Sequence, residues 1–116
     1  MKRFSKLYVM MFLLFSVISL ASFGYSDPDL DTVDEVYNEV IVYGNENYLN
    51  NFSPNELAII RNTIYAKRGY KFKRKEYQRY FGTKKWYRGI TNRQDILTKG
   101  EQKLVDIIRE YEKLYE

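Results

Sequence analysis

Residues 53–69 read SPNELAIIRNTIYAKRG, and the class of fold follows from that stretch. Ser53 supplies a cap oxygen, Pro54 a ring pre-set for the first helical position, and Glu56 a carboxylate able to reach back to the Ser53 N–H, which together make a capping box. Phe52 before the cap and Leu57 at the fourth position can close a hydrophobic staple. Leu57, Ile60 and Ile64, joined by Ala58 and Tyr65, fall on one stripe of a 3.6-residue repeat. Gly69 ends the helix as the residue that takes the left-handed conformation at no steric cost.

Outward on the C-terminal side, Tyr70 and Phe72 alternate with Lys71 and Lys73, an extended passage with two rings on one side. A second helix is expected from about Lys73 to Phe81, with Tyr77, Tyr80 and Phe81 on one face and Gly82 as its stop. A loop, TKKWYRGITNRQDIL, carries the only Trp. Thr98 and Glu101 form another capping box, and the last helix runs from there to the end with Leu104, Ile107, Ile108, Tyr111, Leu114 and Tyr115 on one apolar face.

On the N-terminal side, residues 25–32 read as a flexible acidic lead-in. Val33, Val36, Tyr37, Val40 and Ile41 recur at helical spacing, although EVIVY is β-branched enough for a strand; a short helix over 31–43 is the preferred reading. GNENYLNNF, rich in Gly and Asn, reads as a loop. The expectation is therefore an all-α fold of three to four short helices around an aromatic-rich core, with residues 25–51 as an acidic, partly helical lead-in and 52–116 as the helical domain.

Residues 1–24 resemble a cleavable signal peptide. Lys2, Arg3 and Lys6 precede an apolar run from Leu7 to Leu20, shorter than the ~20 residues of a spanning helix and followed by small residues. Cleavage after Gly24 is preferred, Ala21 also serves, and an uncleaved anchor is the competing reading. With no Cys in the chain, a lipidated Cys at the cleavage site is excluded. The mature protein is expected outside the cytoplasm, periplasmic or secreted, meeting membrane only through the leader before cleavage.

Without the leader, 16 basic and 15 acidic residues leave a net charge of +1, sharply segregated. Residues 25–60 hold eight acidic residues and no Lys or Arg, whereas Arg61 to Arg93 holds twelve basic residues against Glu76 alone. Such blocks either complement each other within the molecule or attract an anionic partner. The absence of His and Cys excludes Cys/His zinc sites, Ser-His-Asp and Cys-His nucleophiles, and disulfides. Asp27, Asp29 and Asp31 occupy calcium-loop positions one, three and five, but Thr32 replaces the turn glycine and Asn38 the bidentate glutamate, so no metal is expected. No other cofactor is implied.

The ordered set Asn55-Glu56-Leu57, Arg61-Asn62, Ile64 through Tyr70, Phe72, Glu76, Tyr80-Phe81 and Trp86-Tyr87 resembles the YARHG domain. That family is a small bacterial module named for its signature pentapeptide and presumed extracellular, and the likeness spans roughly Phe52 to Tyr111. The resemblance implies a location and a fold and assigns no activity. The signature's Arg-His stands here as Lys67-Arg68, and an Arg at the second position cannot give up a proton near neutral pH.

Arg61, Tyr65 and Arg68 share a helix face at i, i+4 and i+7. Either they form a polar ligand groove or, as preferred, Arg61 reaches Glu76 and pins two helices together. Asn62 is read as satisfying loop backbone groups, and Gly69 as the helix stop. The candidate ligand-binding face comprises Arg68, Lys71, Arg74, Lys75, Arg79, Lys84 and Lys85, with Trp86 and Tyr87 either stacking on a sugar or plugging the core. Its expected partner is an anionic cell-envelope polymer or a protein; the compartment argues against nucleic acid. An enzyme acting on wall glycan or peptide with Glu76 as acid or base is the alternative, although Glu76 lacks an evident second carboxylate. In a third reading, the acidic segment covers the basic face.

Overall fold

A computed structural model describes residues 27–115; the predicted signal peptide lies outside the described residues. Among the described residues four α-helices carry the fold: α1 (Pro28–Tyr37), α2 (Pro54–Lys67), α3 (Lys75–Gly82) and α4 (Lys99–Lys113). A π-helical turn at Asn38–Val42 and a 3-10 turn at Glu46–Asn51 link α1 to α2. The expected all-α fold with an aromatic cluster is what forms, and no strand occurs among the described residues.

Both capping boxes form. Ser53 Oγ accepts from Glu56 N at 3.2 Å while Glu56 Oε1 accepts from Ser53 N at 3.0 Å, and Thr98 and Glu101 repeat the exchange at 3.1 and 3.0 Å. The lead-in is helical earlier than expected because Asp27 acts as its cap, Oδ1 accepting from Asp29 N at 2.8 Å with Pro28 at the first position. EVIVY is helical, not extended, and closes in a widened turn where Tyr43 N donates to Asn38 O at 2.9 Å. The Gly/Asn-rich stretch holds a helical turn whose Leu49 is fully buried. Helix α3 begins at Lys75, two residues later than expected.

The core is continuous but has two ends of different chemistry. α2 packs between α1 and α4, and that end is aliphatic: Val33, Val36 and Val40 meet Leu57, Ile60 and Ile64, with Leu104, Val105 and Ile108 from the far side. Val105 belongs to the buried face of α4, whereas Leu114 and Tyr115, expected on it, are exposed. The other end is made of rings. Phe81, fully buried, stacks on Phe72 at 4.9 Å between centroids and meets Trp86 and Tyr87 at 6.2 and 6.0 Å. Tyr80 packs edge-on against Phe81 at 5.0 Å yet keeps its hydroxyl at the surface, donating to Asp29 Oδ2 at 2.6 Å.

Between the two ends lies the stop of α2. Gly69 has φ +83°; its N–H donates to Ala66 O at 3.0 Å and the Tyr70 N–H to Tyr65 O at 3.2 Å, the two bonds of a Schellman motif, with the Tyr65 and Tyr70 rings 5.7 Å apart as its hydrophobic contact. The Gly69 carbonyl then accepts from Ile90 N and Thr91 N at 2.8 and 3.1 Å, and Lys71 N donates to Thr91 O at 2.8 Å. A β-carbon at residue 69 would lie 2.6 Å from Ile90 Cγ1. Gly69→Ala should therefore cost more than the ~1–2 kcal/mol of a left-handed non-glycine residue, read as a lowered urea midpoint; a loss below 1 kcal/mol would contradict this account of the turn.

Candidate functional site

Antiparallel α2 and α4 are tied at both ends by arginines. Arg61 Nε and Nη2 donate to the two carboxylate oxygens of Glu112 at 2.8 and 3.1 Å, and Arg68 Nε and Nη2 donate to Glu101 at 2.9 Å each. The i, i+7 spacing does put both arginines on one face. The expected Arg61–Glu76 pair does not form: Glu76 is exposed and pairs with its neighbour Arg74. α3 is held to the rest of the protein through its rings, and Arg61 faces α4.

Burial pushes the Glu101 carboxyl up, but the Arg68 guanidinium and the Thr98 N–H outweigh it and hold it below its ordinary value. Burial likewise opposes ionisation of Asp27, where the Lys84 ammonium and the Asp29 N–H prevail and lower it. Lys84 Nζ sits 3.0 Å from both Asp27 Oδ2 and Asp29 Oδ2. Its desolvation is outweighed by those two carboxylates, so its own pKa is raised. Burial and the bond to Asp29 push the Tyr80 hydroxyl up to about 12.

These pairs remove two residues from the candidate face. Arg68 is committed to Glu101, and Lys84 to the N-terminal carboxylates. Trp86 and Tyr87 pack on Phe81, and the Tyr87 hydroxyl donates to Tyr70 O at 2.6 Å, so both rings serve the core. Trp86 Nε1 is buried with no partner in hydrogen-bonding geometry, although it lies near enough to Asp27 to help hold that carboxyl low. Lys71, Lys75, Arg79 and Lys85 are exposed and make no ion pair among the described residues. The acidic helix thus covers the basic segment only in part: besides Lys84 it reaches Lys67, 3.7 Å from Asp34.

A cleft of about 200 Å³ opens beside the Gly69 turn. α2 contributes Arg61, Asn62 and Tyr65; the connector brings Tyr70, Lys73 and Arg74, with Phe72 behind them; Tyr77 of α3, Gln94 of the loop and Arg109 of α4 complete it. Four cations line it and no carboxylate does. Glu112 and Glu76 hold Arg61 and Arg74, while Lys73 and Arg109 have no carboxylate partner among the described residues. The Arg74 guanidinium lies 5.2 Å from the Tyr77 ring centroid. Asn62 does not serve a loop: its Nδ2 donates to Ala58 O of its own helix at 2.8 Å.

Of the Arg61, Tyr65 and Arg68 face weighed as a polar groove, Arg68 turns to Glu101, and α2 lines the cleft instead with Arg61, Asn62 and Tyr65. Their i, i+1, i+4 spacing was the available signal, and the missing parts, Lys73, Gln94 and Arg109, come from elements far apart in the chain. Among the described residues, no group of three or more acidic residues is placed to hold a metal, and no helix is long and apolar enough to cross a membrane.

The sequence model of the YARHG domain matches residues 36–113, most of the chain, and the chain belongs to that family. The match begins within α1, ahead of Phe52, in keeping with the packing of α1 and Leu49 into the common core. No curated protein and no solved structure matches.

The ordinary values are 4.5 for Glu and 3.8 for Asp, and both folded values are lower. The stabilisation from Glu101 and Asp27 is therefore complete above the ordinary carboxylate range and is lost as pH falls through the depressed values. Thermal midpoints should be flat from pH 7 to 5 and drop steeply below about 4.5. Glu101→Gln should cost about 2 kcal/mol at pH 7 and flatten the acid slope; a variant as acid-sensitive as the parent would argue against the Arg68–Glu101 tie.

Proposed function

We propose that this member of the YARHG family is an exported binding module that holds an anionic polymer of the cell envelope on its basic surface. The observation that carries the reading is the division of labour among cations. Lys67 and Lys84 are paired with carboxylates of the N-terminal segment and Arg61 and Arg68 with carboxylates of α4, while Lys71, Lys75, Arg79, Lys85 and Arg88 project from one chain segment without carboxylate partners among the described residues. A charge so arranged draws phosphate- or carboxylate-rich chains with a strength that falls with salt.

Export rests on the leader-like residues 1–24 and on the family's presumed location. Polymer is preferred over protein because Phe72, Tyr77, Phe81, Trp86 and Tyr87, rings of the kind that make hot spots in protein interfaces, pack against the core, which leaves Tyr80 and Ile90 as the exposed large apolar side chains among the segment's cations. Glu76 stands away from the cleft with Arg74 as its partner, and no carboxylate lines the cleft opposite it. That geometry lends no support to a glycan-cleaving pair.

Each cation near an anionic surface contributes about 1 kcal/mol. Lys75→Glu with Arg79→Glu should therefore weaken retention on purified sacculi more than tenfold and reduce its salt dependence. The same reversals at Lys99 and Lys103, outside the segment, should change it far less. Equal retention of parent and Lys75/Arg79 variant would overturn the reading, and capture of a single protein without retention on sacculi would transfer the surface to a polypeptide partner.

A further inference from the structure

The cleft beside Gly69 carries more information than the open basic surface, because two largely buried residues, Tyr65 and Asn62, line it with polar groups that no other described residue uses. Tyr65 is 7% and Asn62 8% exposed. Among the described residues, Trp86 Nε1 is the buried side-chain polar atom left enclosed without a partner. The Tyr65 hydroxyl and Asn62 Oδ1 make no hydrogen bond among the described residues and, unlike Trp86 Nε1, are not enclosed, so both stay open to water or to a ligand at the cleft they line.

Each wall selects for a different property of the ligand. Asn62 Oδ1 accepts only, so it requires a donor such as a sugar hydroxyl; the Tyr65 hydroxyl gives or takes. Tyr70 and Tyr77 present ring surface, linked through Phe72 at 5.2 and 5.7 Å between centroids, against which the apolar face of a pyranose can lie. Lys73 and Arg109, with no carboxylate partner among the described residues, supply positive charge at the rim. At about 200 Å³ the space falls below the ~300–1,000 Å³ of pockets for larger ligands, which fits one ring with one appended group.

We infer that the cleft binds a single acidic sugar unit, a pyranose bearing a carboxylate or a phosphate, with its hydroxyls on Asn62 and Tyr65 and its anion at Lys73 and Arg109. This rests on the polymer-binding reading and specifies which part of the polymer is recognised.

The test is a calorimetric titration of protein expressed from the full chain with glucuronate, glucose 6-phosphate, glucose and inorganic phosphate, alongside sacculus retention of the same preparation. Glucuronate or glucose 6-phosphate should bind at least tenfold more tightly than glucose or phosphate, and whichever of the two is tighter identifies the anion. Tyr65→Phe, which keeps the ring, should weaken binding about fivefold. Lys73→Gln with Arg109→Gln should weaken it more than tenfold at an unchanged thermal midpoint. Inorganic phosphate binding as tightly as glucose 6-phosphate would reduce the cleft to an anion pocket and overturn the inference. Retention on sacculi with no binding of either acidic sugar would overturn it while leaving the surface reading intact; loss of both would remove both.

Discussion

The turn at Gly69 is the constraint on which the rest of the structure depends. At φ +83° it stops α2, releases the chain across the end of that helix and packs Tyr70 against Tyr65. Its carbonyl takes two N–H groups of the distant loop and its missing side chain leaves room for Ile90. Three consequences follow from one residue. The Tyr70–Phe72 passage is laid where Phe72 meets Phe81, the loop carrying Trp86 and Tyr87 is anchored over those rings, and the gap between α2 and the connector becomes the cleft. A domain of this size buries only a modest fraction of its surface and has no disulfide to help, so a ring cluster closed by backbone bonds takes the place of a larger core.

The same economy governs the charges. Bidentate arginine–carboxylate pairs contribute modest net stability once desolvation is counted, but they fix direction. Arg61–Glu112 and Arg68–Glu101 set the register of α2 against α4, and Lys84 between Asp27 and Asp29 docks the start of α1 beside α3. Internal complementation and an outward basic face are therefore not rival readings of the segregated charge. The carboxylates of α1 answer Lys84 and Lys67, and the cations beyond their reach stay at the surface.

What the sequence disclosed and what it withheld divide along the distance over which each interaction acts. The capping boxes at Ser53 and Thr98, the stop at Gly69 and the inward rings were legible because their signals lie within a few residues of their effects, whereas Gly82, expected as a stop, is the last residue of α3 and Thr83 caps it. The partner of Arg61 was not, because Glu76, the one carboxylate of the basic stretch, was the evident candidate and only the packing of α4 brings Glu112 to it. Leu49 hid among asparagines that favour loops, and Asp27 looked like lead-in because a cap is defined by the helix after it. Leu114 and Tyr115 obeyed the helical period of α4 yet lie past its last residue, Lys113, where period alone buries nothing.

The cleft shows why a site can escape a pattern yet follow from the same physics. Asn62 and Tyr65 are on the buried face of α2, and that face is covered along most of its length by α1, α4 and the rings. Beside the Gly69 turn the covering opens on Asn62 and Tyr65, since the connector leaves α2 there before α3 begins. Polar residues are tolerated at such a gap where apolar ones are required elsewhere, and cations gather around it because the connector must cross the surface between two rings that point inward. A positive rim around a half-buried aromatic floor is thus a by-product of how the chain turns, and it is also the arrangement in which a low-dielectric wall strengthens the pull of each cation on an incoming anion.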